Sequence, residues 1–500
     1  MRGRRLRSDL AINIVMSAVK VAGLLWVIRE AGMIMTPVAL GVFLLARRVA
    51  NTGACFLQLG MSQALVRYLA MYRDDPRRKR QFVGLSAFTG LLLALLLIPI
   101  LLFLEPRIGP LLLPGAGAQV GLAFWTGMLM LGSVAHYLAH STLIGERRMF
   151  WGGVLEFAAV SGILLFYFLW VGSDASPLAA VRFQSLCMLV LAIAYLVGYL
   201  AFQGRKSEVD GIPLTQLRDE SSRFFLFALP RGLVTFLDMA LLMLGPWLLR
   251  FEVEEAGFLI VSLTLVRVLQ VAIMPVSQIA SVLTAQYVGR GDERSIEEGV
   301  KLLFGAVLYS GALIGAGVIP WGRTILELWL GDADLAEGVF KYFIVVGWGL
   351  IPYALFQGLK GIIEMRWFRP LNMVTLIIAN LVHLGAFLVF RGTLGTEPAV
   401  RWSFLLSLIC LGVLTAVLLR RYLQPWSHWG LGRIAVVSIF LWGSNYVVAS
   451  EAPVPLGLVW LVVSVALSTV SLWKVFPAPF LASLESFLVE AMGRRERAVW

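Results

Sequence analysis

Apolar runs of about 20 residues, the length that crosses a hydrocarbon core of about 30 Å, recur fourteen times along the chain. They predict membrane-spanning helices near 9–29, 37–62, 82–104, 117–140, 151–171, 177–202, 222–245, 255–283, 300–320, 338–360, 370–390, 400–419, 431–450 and 454–475. In that order they are spans 1 to 14. The connections between them are short and polar, so the expected class is an all-α polytopic membrane protein. No cleavable signal peptide is expected, because the first apolar run is long and lacks a clear cleavage site.

Composition agrees with the pattern. The chain is 59% hydrophobic and 14% charged, with a mean hydropathy of +0.83, whereas a soluble chain carries about 25% charged residues. Charge placement adds an orientation. With the basic N-terminus (RGRRLR) in the cytoplasm, 29 of the 42 Lys and Arg fall on the cytoplasmic side and six on the other. The remaining seven lie within spans: Lys20, Arg47, Arg48, Arg182, Arg231, Arg267 and Lys341. Both termini are therefore predicted to be cytoplasmic. The net charge of +12 requires no nucleic-acid partner, since loops facing anionic lipid account for it.

An internal repeat sets the domain organisation. The stretch 107-RIGPLLLPG-115 pairs with 323-RTILELWLG-331 at an offset of 216, and 146-ERRMFW-151 pairs with 364-EMRWFR-369 at 218. Each match falls in the equivalent loop of two six-span halves. An offset of six spans keeps orientation, so the halves are expected to be parallel repeats with a site between them. The predicted organisation is a half over 1–203, a cytoplasmic linker over 204–221, a second half over 222–420, an added pair of spans over 421–475 and a tail over 476–500. In the tail, residues 480–492 are expected to form an amphipathic surface helix, with Phe480, Leu481, Leu484, Phe487, Leu488 and Ala491 on one face.

Polar positions then stand out against the apolar background. At 100° per residue, Arg47, Asn51, Gln58 and Ser62 of span 2 lie within about 60° of one another. Span 1 aligns Asn13, Ser17 and Lys20, and span 7 repeats that spacing with Arg231, Thr235 and Asp238. Span 8 aligns Thr264, Arg267, Gln270 and Gln278. A charge at the bilayer centre costs roughly 2.5–3.5 kcal/mol on insertion scales, so symmetric cationic stripes point to a shared polar cavity. The plainer reading is that such arginines bond backbone carbonyls and hold helices together. Arg48, 100° from Arg47, is the candidate for that role, while Arg182 and Lys341 sit near span ends and snorkel. A basic cleft suits an anionic cargo: at about 4 Å two unit charges attract by roughly 4 kcal/mol at an effective dielectric near 20, and Arg matches phosphate oxygens bidentately. With apolar flanks beside the cations, the inferred cargo is an anionic headgroup on a lipid tail.

Three stretches carry a family resemblance: 59-LGMSQALVRYLA-70, 256-AGFLIVSLTLVRVLQVAIMPVSQIAS-281 and 328-LWLGDADLAEGV-339, with 229-LPRGL-233 in span 7. Over about residues 9–420 the chain resembles the polysaccharide-biosynthesis (O-antigen, Wzx-type) flippases of the multidrug/oligosaccharidyl-lipid/polysaccharide (MOP) exporter superfamily. The resemblance implies twelve core spans plus two, and export of a polyprenyl-pyrophosphate-linked oligosaccharide across a bacterial inner membrane by alternating access. It also implies a substrate-binding cavity carried here by Lys20, Arg47, Arg48, Arg231 and Arg267, and membrane lipids, glycan polymerase and chain-length proteins as partners.

Other readings are a lipid II flippase, which shares the basic cavity, and a cation-coupled multidrug exporter of the same superfamily. The latter would want a carboxylate on span 1; this chain has Lys20 there, and Asp238 is the acid deep in the first two spans of either half. Asp238 could answer to protons or sodium, or pair with Arg231 about 10 Å away along the axis. A glycan polymerase or ligase would carry a large outer loop, and the longest one here is 321–337. No enzyme activity, cofactor or metal is expected. Asp74 and Asp75, like Asp332 and Asp334, read as helix starts or turns. His136 and His140 have metal-compatible spacing but no third ligand near in sequence. Cys55, Cys187 and Cys410 are far apart, and no phosphate-binding GxxxxGK[ST] loop occurs.

Overall fold

A computed structural model describes residues 2–72, 75–112, 121–172, 175–206, 214–265, 291–313, 315–316, 319–367, 370–424 and 431–451, with isolated positions at 277–288 and 459–467. Among the described residues there is no strand, and nine helices are long and apolar enough to cross a membrane. Span 14 beyond those isolated positions, and the tail helix expected over 480–492, lie outside the described residues. The chain packs as two compact units, Met1–Thr264 and Leu265–Trp500.

The first unit runs α1 (Arg2–Ile34), α2 (Pro37–Leu57), α3 (Met61–Met71), α4 (Pro76–Leu112), α5 (Leu122–Gly145), α6 (Met149–Phe157), a π-helical turn (Ala158–Gly162), α7 (Ile163–Val171), α8 (Pro177–Lys206), α9 (Leu214–Leu248) and α10 (253–265). Span 7 is α9, so a helix that the repeat assigns to the second half packs within the first unit.

Among the described residues of the first unit, two of the predicted spans are not continuous α-helices. Span 2 starts as expected, with Pro37 in the first turn and the Thr36 hydroxyl accepting from the Ala39 amide at 3.4 Å. It stops at Leu57, where Leu59 and Gly60 turn left-handed (φ 49° and 73°), and α3 begins at Met61. Gly60 is required twice over: a Cβ there would lie 2.0 Å from the Ala228 carbonyl oxygen, and one on the facing Gly232 would lie 2.4 Å from the Gly60 nitrogen. The 229-LPRGL-233 stretch thus supplies the glycine that lets two backbones touch. Span 5 is interrupted by the π turn, in which the Ile163 amide bonds the Ala158 carbonyl, five residues back.

Apolar packing and a polar clasp close one end of this unit. Leu65, Leu69, Phe82, Leu138 and Phe224 are buried together, with Tyr68 against Phe82 and Phe224. Beside them Lys79 at the start of α4 lies 3.0 Å from Glu146, which caps α5, and the Tyr199 hydroxyl of α8 donates to Glu146 at 2.9 Å. Asp75 begins α4 by accepting from the amides of Arg77 and Arg78.

The second unit contains α11 (Glu293–Leu313), α12 (Gly322–Leu330), α13 (Ala333–Arg366), α14 (Leu371–Leu394), α15 (Thr396–Leu418), α16 (Arg420–Leu423) and α17 (Leu431–Glu451). Asp332 caps α13, accepting from the amides of Asp334 and Leu335 at 2.9 Å, so these acids serve a helix start. Val300, Phe304, Leu359, Ile363 and Leu423 form its core. A second clasp joins Glu293 of α11 to Arg366 of α13 and to Arg421 of α16 (2.9 Å), with the Tyr422 hydroxyl donating to Glu293 at 3.0 Å.

The two repeat matches differ in structure. Glu146 and Glu364 both stand at the end of a helix. Arg107 continues a long helix, whereas Arg323 opens a separate short one.

Candidate functional site

Lys20, Arg47, His140 and Glu156 of the first unit gather around span 5. Lys20, midway along α1, places its ammonium 2.7 Å from Oε1 of Glu156 on α6. Oε2 of Glu156 lies 3.6 Å from His140 Nε2 on α5, and the His140 ring stacks on His136 with centroids 6.0 Å apart. One helix turn makes that stack, since residues four apart share a face. The side chains of Lys20, His140 and Glu156 are 19%, 25% and 32% exposed, while His136 is buried.

The π turn follows directly. A π turn carries an extra residue and displaces carbonyls from the ordinary ladder, and side chains from two other helices and a backbone carbonyl from a third bind its backbone or its hydroxyl. Arg47 Nη2 of α2 donates to the Val160 carbonyl at 3.0 Å, and Gln184 Nε2 of α8 donates to the Ala159 carbonyl at 3.0 Å. The Ser161 hydroxyl donates to the Lys20 carbonyl at 3.1 Å. Close approach of α1 depends on Gly23, whose added Cβ would come within 2.8 Å of Phe157 and Ser161. Arg47 through its guanidinium and Lys20 through its backbone carbonyl therefore meet the same five residues, while the Lys20 ammonium goes to Glu156 just before them.

The other expected residues are distributed more widely. Arg48 turns from Arg47 toward α9 and donates to the Leu242 carbonyl at 3.4 Å; both arginines are buried, at 6% and 8% exposure. Arg231 donates to the Phe227 carbonyl and lies over the Phe227 ring at 3.7 Å, with Arg67 over the same ring at 4.3 Å. Thr235 accepts from Gln63 Nε2 at 2.8 Å. Asp238 and Gln58 are buried, and Gln58 caps α2 at the break rather than continuing its stripe. Ser17 and Asn51 are half-buried. Thr264 is buried and donates to the Ile260 carbonyl. Arg267, Gln270 and Gln278, and the side chain of Asn13, lie outside the described residues.

Glu156 is the site residue that sequence reasoning missed. It is the single formal charge between Met149 and Val171, and that isolation is the signal that could have found it. Its position also gives His140 an acidic neighbour that spacing along the chain did not. Among the described residues, no group of three His, Cys, Asp or Glu is arranged to hold a metal ion.

No protein-family model and no curated protein matches the chain, but solved structures do. The lipid II flippase MurJ in an inward closed conformation aligns with a TM-score of 0.64 at 13% identity, over 96% of this chain and all of that one. The fold is similar to that of this flippase and of solved transporters described as members of the MOP superfamily. An inward-facing multidrug-resistance MATE transporter of that superfamily aligns with a TM-score of 0.56 at 14% identity, over 82% of this chain and 94% of its own. A MOP transporter from Pyrococcus furiosus, described as having a binding pocket of reverse polarity that suggests a different function, gives 0.53 at 15% identity, over 83% and 95%. The chain is thus a multi-pass membrane protein whose solved neighbours are transporters and flippases. At these identities the likeness is one of fold, and the cargo has to be argued from the residues.

Proposed function

We propose that this protein is a flippase that moves an anionic, polyprenyl-pyrophosphate-linked oligosaccharide across the bacterial inner membrane, both termini in the cytoplasm, for assembly of O-antigen, capsule or exopolysaccharide. The observation that carries the reading is the sign of the buried charge. Arg47 and Arg48 are almost fully buried, and Lys20 and Arg231 partly so, on membrane helices of one compact unit. Such cations are costly in a bilayer, and an organic cation would be repelled by them. A pyrophosphate would be attracted, and the guanidinium forks suit its oxygens. The reading makes glycan polymerase and chain-length proteins its downstream partners.

A lipid II flippase is the second reading. The end-to-end alignment with MurJ favours it, and its cargo has the same pyrophosphate and polyprenyl chemistry. Proteoliposomes loaded with either a pyrophosphate-linked O-unit or lipid II, with the translocated fraction measured by an impermeant modifying enzyme, separate the two. The O-unit is the expected cargo. Arg47→Ala combined with Arg48→Ala is expected to slow it at least tenfold at equal protein content, with Arg→Lys at both sites rescuing only in part because the fork is lost. Undiminished flipping by the double alanine variant would overturn the cationic-path reading, and flipping of lipid II alone would favour the second.

A further inference from the structure

One of the cations that the proposed cargo would meet is already held by an acid. Lys20 Nζ sits 2.7 Å from Glu156 Oε1, and Oε2 of the same carboxylate sits 3.6 Å from His140 Nε2. The groups with charge or a titratable proton that face Glu156 are Lys20 from α1, and His140 and the stacked His136 from α5. The three nearest side chains are a fifth to a third exposed, so they are not sealed within the packed helices. The helices themselves are tied by other means, through Ser161 to the Lys20 carbonyl and the close packing at Gly23. Lys20 can therefore change partners without α1 leaving span 5.

Physical chemistry fixes what such an exchange must do. Removing the cation from a partly desolvated ion pair leaves an uncompensated carboxylate, which is costly. Two routes cancel that charge: a proton on the carboxylate itself, or a proton on the imidazole that faces it. We propose that the pyrophosphate of the cargo competes with Glu156 for Lys20, and that the released Glu156–His140 pair takes up one proton from water, so that cargo binding and proton uptake are linked. The inference rests on the flippase reading given above. No covalent bond changes: Lys20 stays an ammonium and trades a carboxylate oxygen for a phosphate oxygen. The proton passes from bulk water to a Glu156 oxygen or a His140 ring nitrogen. Because binding consumes a proton, apparent affinity rises as pH falls and weakens as pH rises, by up to about tenfold per pH unit.

The test uses the full-length protein in detergent, with undecaprenyl pyrophosphate as the probe, a lightly buffered solution and a pH-sensitive dye. The wild type is expected to bind the probe and take up about half to one proton per molecule bound near neutral pH. Glu156→Gln should bind roughly fivefold or more tightly, since the competitor for Lys20 is gone, and should take up no proton. Glu156→Asp, which keeps the charge, should retain uptake, and Lys20→Met should bind at least tenfold more weakly. Wild-type binding without proton uptake overturns the inference and leaves the flippase reading standing. Weaker binding by a folded Glu156→Gln variant overturns it as well. If that variant does not fold, the wild-type stoichiometry and pH slope decide alone. Failure of the wild type to bind the probe overturns both the inference and the reading beneath it.

Discussion

The two clasps, one in each unit, have the same plan with the charges exchanged. In the first, a lysine at the start of α4 meets a glutamate at the end of α5, and a tyrosine of α8 donates to the glutamate. In the second, a glutamate at the start of α11 meets an arginine at the end of α13, and a tyrosine of α16 donates to the glutamate. These positions are spans 3, 4 and 6 of one half and 9, 10 and the end of 12 of the other. What the two clasps share is therefore a meeting of three helix ends, while the sign of each partner differs. Burial differs as well. The Lys79 and Glu146 side chains are 10% and 16% exposed, but Glu293 and Arg421 are about half exposed. The same drawing should therefore be worth more in the first unit, because solvent screens an exposed pair.

Five substitutions press on that difference, read as thermal stability of the detergent-solubilised protein. The largest effect is expected from Lys79→Glu, which sets two carboxylates about 3 Å apart in a site with little water, at a cost of about 4 kcal/mol. Adding Glu146→Lys should restore most of the loss, because it imposes the polarity that the second clasp already uses; no recovery would show that the first clasp reads more than charge. Next, Glu146→Ala strands Lys79 and should cost about 3 kcal/mol. Tyr199→Phe removes one hydrogen bond to a charged acceptor and should cost about 1.5 kcal/mol. The smallest effect, under about 1 kcal/mol and lost in 1 M salt where the Debye length is about 3 Å, is expected for Glu293→Ala. If Glu293→Ala proved as damaging as Glu146→Ala, burial would not be what separates the clasps.

Much of this architecture is legible in hydropathy alone, and the exceptions have physical causes. Spans 1, 3, 4, 6, 7 and 10 to 13 each correspond to a helix, several of them longer than predicted by five to eight residues at an end, because a run of apolar residues bounded by charge leaves a membrane chain few alternatives. The break at Leu59–Gly60 was hidden, since a single left-handed turn barely disturbs a hydrophobic run, and the need for it arises from Ala228 and Gly232, far along the chain. The π turn adds one residue without changing polarity. Arg47 and Arg48 were legible as exceptional, and Arg48 as the one turned elsewhere. That Arg47 also bonds a carbonyl of span 5 could not be read, because the acceptor is backbone and every residue type supplies one. The partnership of Lys20 with Glu156 spans 136 positions, which no periodicity reports.

The π turn at Ala158–Gly162 has a last consequence, for how the chain tolerates insertion and loss. A five-residue hydrogen-bonded loop in place of four is what an α-helix becomes when one residue is added to it and the flanking contacts are held. Span 5 thus has a residue to spare at one place. Deleting a residue elsewhere in it turns everything beyond by about 100°, swinging Phe168, buried against Phe43, away from its seat. Deleting one within 158–162 lets the turn relax to an ordinary helix with both ends still in register, at the expense of the carbonyls that Arg47 and Gln184 now hold. A scan of single-residue deletions through 150–170 should therefore show one narrow window of folded protein, and that window marks where the length of this helix can be edited.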